Sequence, residues 1–387
     1  MSRRYAWGTC RGMNGTLVEL EHDLALLDRA ARCAVRAHGH VEPNPMVGCV
    51  ASDRSGEVIA MAHHERLGGP HAEVLALQRG GDSLREGTLH VTLEPCAHQG
   101  RTGPCTSAII DAGISRVVIG HLDPNPDASG GVEVLQAAGI EVEVLDHQPS
   151  RLLIAPHVVR LREQRPWVQV KWAQTIDGRI ATRSGQSRWI SSDRSRGMVH
   201  RQRGRVDAVL TGIGTVMHDD PRLTARHGRP RRVPRRVLVD PMLECPPDAA
   251  LLQTMDQATL TIACLEGAPE ARVETLRRSG VDVRSFKEHD GRLDLRSMLE
   301  SLYCQQAIST VLVEAGPGLV SSLFDACCVD EALVFVAPRL LGDEQALPPV
   351  HGRMPDTIDA GIDMSLHRVH RRGDDVLLRY GVSSGKS

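Results

Sequence analysis

Residues 70–105 read PHAEVLALQRGGDSLREGTLHVTLEPCAHQGRTGPC, and within them a helix pattern gives way to a strand pattern. In HAEVLALQRG (71–80) the apolar positions Val74, Leu75 and Leu77 are spaced for one helical face. TLHVTLEPC (88–96) reads as a strand, and CTSAIIDAG (105–113) as a second helix closed by Gly113. Toward the N-terminus, MVGCVAS (46–52) predicts a buried strand, Ser52 to Gly56 a hairpin turn and EVIAMAHH (57–64) its partner. A helical pattern before them starts near Asp23 and ends at Gly39, whereas the first twenty or so residues show no clear period and are expected to form a loose extension. Toward the C-terminus, RVVIGHLDP (116–124), GGVEVLQAAG (130–139) and IEVEVLD (140–146) add strand, helix and strand. Strands alternating with helices imply a three-layer α/β domain ending near Asp146.

Leu152 to Arg165 reads as a connecting helix stopped by Pro166, and a second alternating series follows. WVQVKWAQ (167–174), VDAVLTG (206–212), RRVLVD (235–240), ATLTIAC (258–264), VDVRSF (281–286), TVLVEAG (310–316) and EALVFVA (331–337) are strands. Helices such as SDRSRGMVHRQRG (192–204) and LDLRSMLESLYCQ (293–305) lie between them, and SLHRVHRRGDDVLLRYG (365–381) reads as a hairpin turning at Gly373. The expected organisation is an extension over 1–21, a first domain over 22–148, a linker over 149–166 and a second domain over 167–383.

Two domains also suit a length of 387 residues. Hydrophobic residues at 41% and charged residues at 24% allow each half a core, built mainly from Leu, Val, Ile and Ala because aromatics make up only 3%. A formal net charge of -2 argues against a protein whose main task is gripping nucleic acid. No apolar run is long enough to span a bilayer, and the N-terminus lacks the apolar stretch and cleavage site of a secretory signal, so a cytoplasmic protein is expected. The ten cysteines are scattered; Cys49, Cys264 and Cys327 lie in apolar runs and read as small buried hydrophobes. RHGRPRRVPRR (226–236) holds six arginines and reads as a solvated loop in preference to a phosphate or nucleic-acid patch.

Only Cys96 and Cys105 have neighbours that ask for a chemical explanation. Each follows a proline, and together they bracket a glycine-rich loop, while His71 and Glu73 stand two residues apart at a helix start. One histidine and two thiolates supply three ligands to zinc and leave the fourth tetrahedral position for water, which marks a catalytic site and not a closed structural one. Zinc there lowers the pKa of the water toward neutrality. Glu73 can then carry the proton to departing ammonia without binding the metal. H-x-E with P-C-x₂-C is the general signature of zinc nucleobase deaminases; here the second part is P-C-x₈-C.

EPNPMVG (42–48), PHAE (70–73), EPCAHQGRTGPC (94–105) and DPNP (123–126) occur in that order, and with them the chain resembles the deaminase half of the bifunctional riboflavin-biosynthesis deaminase/reductase family. The resemblance implies a cytidine-deaminase-like fold and substrate-binding roles for Asn44, His64, His98, Arg101, Asp123 and Asn125. Arg101 suits a ribose phosphate, while an amide and a carboxylate can read a pyrimidine edge. The chain has Ala97 and Gly103 where the family usually has Ser and Pro.

The C-terminal half has no GxGxxG after a strand and is not a typical Rossmann module. VQVKWAQTIDGRIA (168–181), SRWISS (187–192), TGIGTVMHDDPRLTAR (211–226) and VEAGPGLVSSL (313–323) resemble the reductase half of the same family, which implies a dihydrofolate-reductase-like fold and NADPH. VEAGPGLVSS ends a strand and opens a helix with small residues, and backbone N–H groups at such a start form an anion site for cofactor phosphates. By resemblance, Ala173, Trp189, Thr215, Asp219 and the turn of Gly316, Pro317, Gly318, Leu319, Val320, Ser321 and Ser322 face NADPH. Lys171, Ser187, Arg203, Leu223, Arg226 and Glu314 would hold the ribose phosphate and ring. Asp219 is the residue expected to be needed for reduction, and Pro241 stands where the family often has a hydroxyl side chain.

The implied reactions are zinc-dependent deamination of 2,5-diamino-6-(5-phosphoribosylamino)pyrimidin-4-one, then reduction of its ribosyl group to ribityl with NADPH. The expected partner is thus a small phosphorylated pyrimidine, with no nucleic acid and no membrane, and the expected assembly is a homo-oligomer. Two alternatives remain at this point. One is a nucleotide or cytosine-type deaminase with an inactive or regulatory second half. The other is an RNA-binding protein with a structural zinc, which near-neutral charge and few aromatics oppose.

Overall fold

Period-2 alternation decides which way the first sheet faces. In β1 (Gly48–Ser52), Cys49 and Ala51 enter a core with helices α2 (Ala72–Gly80), α3 (Cys105–Asp111) and α4 (Gly131–Ala137), while Val50 packs on Leu26 and Ala30 of α1 (Met13–Ala34). The remaining strands are β2 (Val58–His63), β3 (Thr88–Val91), β4 (Arg116–Ile119) and β5 (Glu141–Val144), in the order β2-β1-β3-β4-β5. β1 is antiparallel to both neighbours, and β3, β4 and β5 run parallel. Gly48 lets α1 lie against the sheet, because a Cβ there would sit 2.1 Å from the Ala30 carbonyl oxygen. The result is the three-layer α/β unit anticipated from sequence, followed by α5 (Gln148–Glu163).

This computed structural model describes residues 13–98, 103–226, 230–352 and 355–382. The chain divides into two units, Met1–Leu161 and Arg162–Ser387. The loose extension expected over 1–21 is corrected in part, since α1 already begins at Met13. Leu17, Val18 and Leu20 are exposed, so residues 17–20 bury no apolar stripe and carry no period to read.

In the second unit, β6 (Trp167–Gln174) matches its predicted run. It is followed by α6 (Asp193–Arg203), β7 (Ala208–Gly212), α7 (Ile213–Asp219), β8 (Arg235–Val239), α8 (Ala250–Gln253), β9 (Leu260–Leu265), α9 (Glu270–Arg278) and β10 (Asp282–Phe286). The short strands β11 (Glu288–His289) and β12 (Arg292–Leu293) form a hairpin. The chain then runs through α10 (Leu295–Gln306), β13 (Thr310–Val313), α11 (Pro317–Asp325), β14 (Glu331–Val336), β15 (Met364–Arg372) and β16 (Asp375–Val382).

The main sheet has the order β10-β9-β8-β7-β13-β6-β14-β16-β15, parallel as far as β14 and closed by the antiparallel β16 and β15. Helices cover both faces of the parallel part, which is why its strands read as near-continuous apolar runs. Leu210, Val237 and Val313 face one core with α10 and α11, and Val209, Leu238 and Leu312 face another with α6, α7 and α9.

Two further expectations are corrected. Cys327 is exposed in the turn after α11, where its φ is +52°, and the adjacent Cys328 takes the buried place. The arginine run is not simply solvated. Arg236 enters β8 fully buried, its guanidinium donating to the Thr254 hydroxyl and to the Thr254 and Ala258 carbonyls, and Arg232 pairs with Asp207.

Candidate active site

His71 caps the start of α2 in extended conformation, and Cys105 is the first residue of α3, so two helix starts converge on Cys96 in the loop after β3. His71 Nδ1 lies 3.2 Å from Cys105 Sγ and 3.6 Å from Cys96 Sγ, and the three donor atoms are all within 4.8 Å of one another. A tetrahedral zinc, with bonds of about 2.3 Å to sulfur and about 2.0 Å to nitrogen, sets its ligands roughly 3.5 Å apart. The spacing fits. The Cys105 thiol and backbone N–H, together with His71, hydrogen-bond Cys96 and hold its thiol down at about 4, while Cys105, keeping the shared proton, is pushed up. Hydrogen bonding to Cys96 raises the His71 imidazole in turn.

Glu73, in the first turn of α2, is 2% exposed, and burial pushes its carboxyl above the usual range against the opposing pull of His71. Its Oε2 is buried without a hydrogen-bond partner. His64 is similar. Its ring meets the His71 ring edge-on at 5.4 Å, Nδ1 faces the Pro70 carbonyl and Nε2 is buried and unpartnered. Two orphaned polar atoms beside the thiol cluster are what a water and a polar substrate would satisfy.

Glu94, to which the sequence reading assigned no role, ties the surrounding loops together. Its Oε2 accepts from the Asp123 N–H, and its Oε1 from the N–H groups of Gly130 and Val132 at the start of α4. A Cβ on Gly131 would lie 1.9 Å from the Pro95 carbonyl oxygen, so the metal loop and α4 meet backbone to backbone. Asp123 sits in the field of Cys96 and His98 and, like Asn125, also holds the amide two residues on. Half-buried Asn44 donates its N–H to the Val41 carbonyl, and His98 is exposed. Arg101 lies outside the described residues. A Ser150–His147–Asp28 chain in the same unit imitates a catalytic triad, with contacts of 2.9 and 3.2 Å. Ser150 is fully buried beneath Gly120, however, so no substrate reaches it.

In the second unit a cavity of about 570 Å³ opens at the carboxyl ends of β7, β8, β9 and β13. Ligands of open α/β sheets bind at such strand ends, where the chain's route across the sheet reverses. Thr215, Asp219, Gly316, Pro317, Gly318, Leu319 and Ser322 line it, with Ser187, Pro241 and apolar walls from Val239, Leu265 and Leu293. No side chain caps the start of α11, which leaves its N–H groups turned to the cavity. Thr215 Oγ1 accepts the Gly316 N–H at 3.0 Å and joins the two turns. Val320 and Ser321 are buried behind the wall, Ala173 packs on the core, and Trp189 is exposed beneath the Arg196 guanidinium at 4.4 Å. Arg292 and His351, absent from the sequence-based set, line the cleft.

A second cluster gathers Lys171, Arg203 and Arg226 in the field of Glu314. Arg203 donates two hydrogen bonds to the Glu314 carboxylate and one to the Thr224 carbonyl, and Lys171 Nζ lies 4.0 Å from Glu314. Burial alone would push Glu314 up; Arg203 and Lys171 outweigh it and bring the carboxyl down to about 2. Leu223, buried at φ +54°, shapes the adjoining turn.

Comparison with known proteins places both arrangements. Residues 20–121 match the cytidine and deoxycytidylate deaminase zinc-binding region, and residues 166–378 match the RibD C-terminal domain. The riboflavin biosynthesis protein RibD of Aquifex aeolicus is 38% identical over 360 residues, covering 92% of this chain and 98% of its own. The Escherichia coli protein of the same name is 38% identical over 330 residues, covering 82% and 88%. The solved RibD of Acinetobacter baumannii superposes with a TM-score of 0.76 at 32% identity, covering 94% of this chain and 99% of that one. A Thermotoga maritima diaminohydroxyphosphoribosylaminopyrimidine deaminase/5-amino-6-(5-phosphoribosylamino)uracil reductase gives the same TM-score, identity and coverage. With a zinc-type deaminase site in one unit, a cofactor-sized cleft in the other and full-length likeness in this domain order, the chain belongs to the RibD family of bifunctional deaminase/reductases of riboflavin biosynthesis.

Proposed function

We propose that His71, Cys96 and Cys105 hold the zinc, that Glu73 moves the proton in deamination, and that the cleft between the Gly212–Asp219 and Gly316–Ser322 turns takes NADPH. The observation that carries this division is the buried, unpartnered Glu73 Oε2 beside a three-donor cluster. Bound zinc supplies the Lewis acidity that makes water nucleophilic near neutral pH. Glu73, raised by burial, takes the proton from that water and returns it to the leaving amine. His64 orients the ring beside His71, and Asp123, held by Glu94, presents its carboxyl to the pyrimidine edge.

NADPH supplies the reducing equivalents in the second reaction. The start of α11 receives its pyrophosphate, and Asp219 at the end of α7 orients the sugar being reduced. Lys171, Arg203 and Arg226 set three cations against one carboxylate, an excess that suits the phosphate of 2,5-diamino-6-(5-phosphoribosylamino)pyrimidin-4-one and its deaminated product. A cytoplasmic homo-oligomer is part of the same reading, and free thiols at every cysteine among the described residues suit the reducing compartment. Among the described residues no helix is long and apolar enough to cross a membrane.

The test is to supply each reaction separately. A strong chelator abolishes ammonia release from the diamino precursor yet spares NADPH oxidation by supplied deaminated product, and Cys96→Ser or Cys105→Ser does the same with loss of bound zinc. Loss of both reactions with folding intact overturns the division.

A further inference from the structure

We propose that Arg292 recognises the 2′-phosphate of NADPH and makes the reductase select NADPH over NADH; this rests on the reading of the cleft as the dinucleotide site. Among the described residues lining that cleft, Arg292 is the one lysine or arginine. Its placement is preorganised. β11 and β12 are joined by Asp290 and Gly291, both left-handed at φ +49° and +75°, the two-residue turn whose twist matches a hairpin. The next residue, Leu293, packs into the core with α10 and α11 and also walls the cavity, so it anchors the strand that brings Arg292 to the same cleft.

Arg292 Nη1 donates to Ser322 Oγ at 2.8 Å, and Asp325 Oδ2 stands off at 3.7 Å. A guanidinium has five N–H donors in a planar fork, so most of its capacity is left for a ligand. Ser322 follows the first residue of α11 by five positions, or roughly 7.5 Å along the axis at 1.5 Å per residue. The uncapped helix start and the Arg292 guanidinium are thus two distinct anion anchors offset along α11 in one cleft, as two phosphates of one nucleotide require. That arrangement describes a pyrophosphate and a 2′-phosphate on one adenosine, and only the second distinguishes NADPH from NADH. A planar, permanently charged fork is the side chain suited to a phosphate dianion.

Titration calorimetry of the full-length protein with NADPH and with NADH tests the assignment. Arg292→Ala should weaken NADPH by roughly ten- to a hundredfold, as loss of a charged hydrogen-bond partner does, and leave NADH nearly unchanged. Arg292→Lys, which keeps the charge without the fork, should fall between. Unchanged thermal midpoints and unchanged ammonia release verify that both variants are folded. Equal weakening of both dinucleotides would move Arg292 to the pyrophosphate and overturn the proposal, as would unaltered NADPH affinity. A wild-type protein that binds neither dinucleotide sinks the cofactor cleft itself, an outcome distinct from either.

Discussion

The thiol cluster and the dinucleotide cleft are built on opposite plans. The first draws every donor from residues 71–105 and depends on side-chain identity, with a half-buried imidazole, two buried sulfurs and a buried carboxyl within one small volume. The second collects its walls from segments as far apart as Ile180 and His351, and its central feature is the bare backbone of a helix start. A metal site needs particular atoms at fixed spacing, which constrains letters; a cofactor cleft needs a shape and free N–H groups, which many letters supply. Substitutions should therefore be abrupt in one half and graded in the other.

Glu73→Gln is the severest trial of that contrast. It should retain a full zinc complement by elemental analysis and lower deamination by ~10²-fold or more, because a general acid/base is removed and no ligand is. Near-normal turnover would place the proton shuttle elsewhere. In the other half, Asp219→Asn should reduce NADPH oxidation by roughly ten- to a hundredfold, the range for losing one charged hydrogen-bonding group, with ammonia release unaffected. An abrupt, complete loss there would erase the distinction between the two plans.

The smallest effect concerns the Glu314 carboxyl. Its folded value of about 2 lies below the ordinary 4.5, so its pairing stabilises the fold fully above about pH 4.5 and is lost as pH falls toward 2. The thermal midpoint of Glu314→Gln should lie a few degrees below wild type at neutral pH, and the gap should close on acidification through that window. A gap independent of pH would mean that the carboxylate charge contributes nothing.

The same contrast explains what could be read in the sequence. Buried parallel strands such as β9 and β13 declare themselves as apolar runs, and the Cys96–Cys105 loop by its paired prolines and cysteines. α7 escaped because Ile213, Gly214 and Thr215 are poor helix formers and Val216 is its one buried side chain. The β11–β12 hairpin, with two residues per strand, is too short to carry a period, and Arg292 went unnoticed with it. Arg236 looked like one more solvated charge; the carbonyl and hydroxyl acceptors that allow its burial come from residues 222, 254 and 258, far beyond a local window.

Glu94 gives the metal loop a mechanical character. Its one carboxylate receives three amides from two segments, and Gly131 admits no side chain between α4 and Pro95. Opening this joint means breaking three bonds together and leaving a charge stranded at 5% exposure, so intermediate, half-open states are costly. Cys96 is two residues further along the same loop. Escape of the ion is thereby coupled to a cooperative rupture of the loop and not to the fraying of a single ligand, and the lifetime of the bound metal becomes a property of the joint.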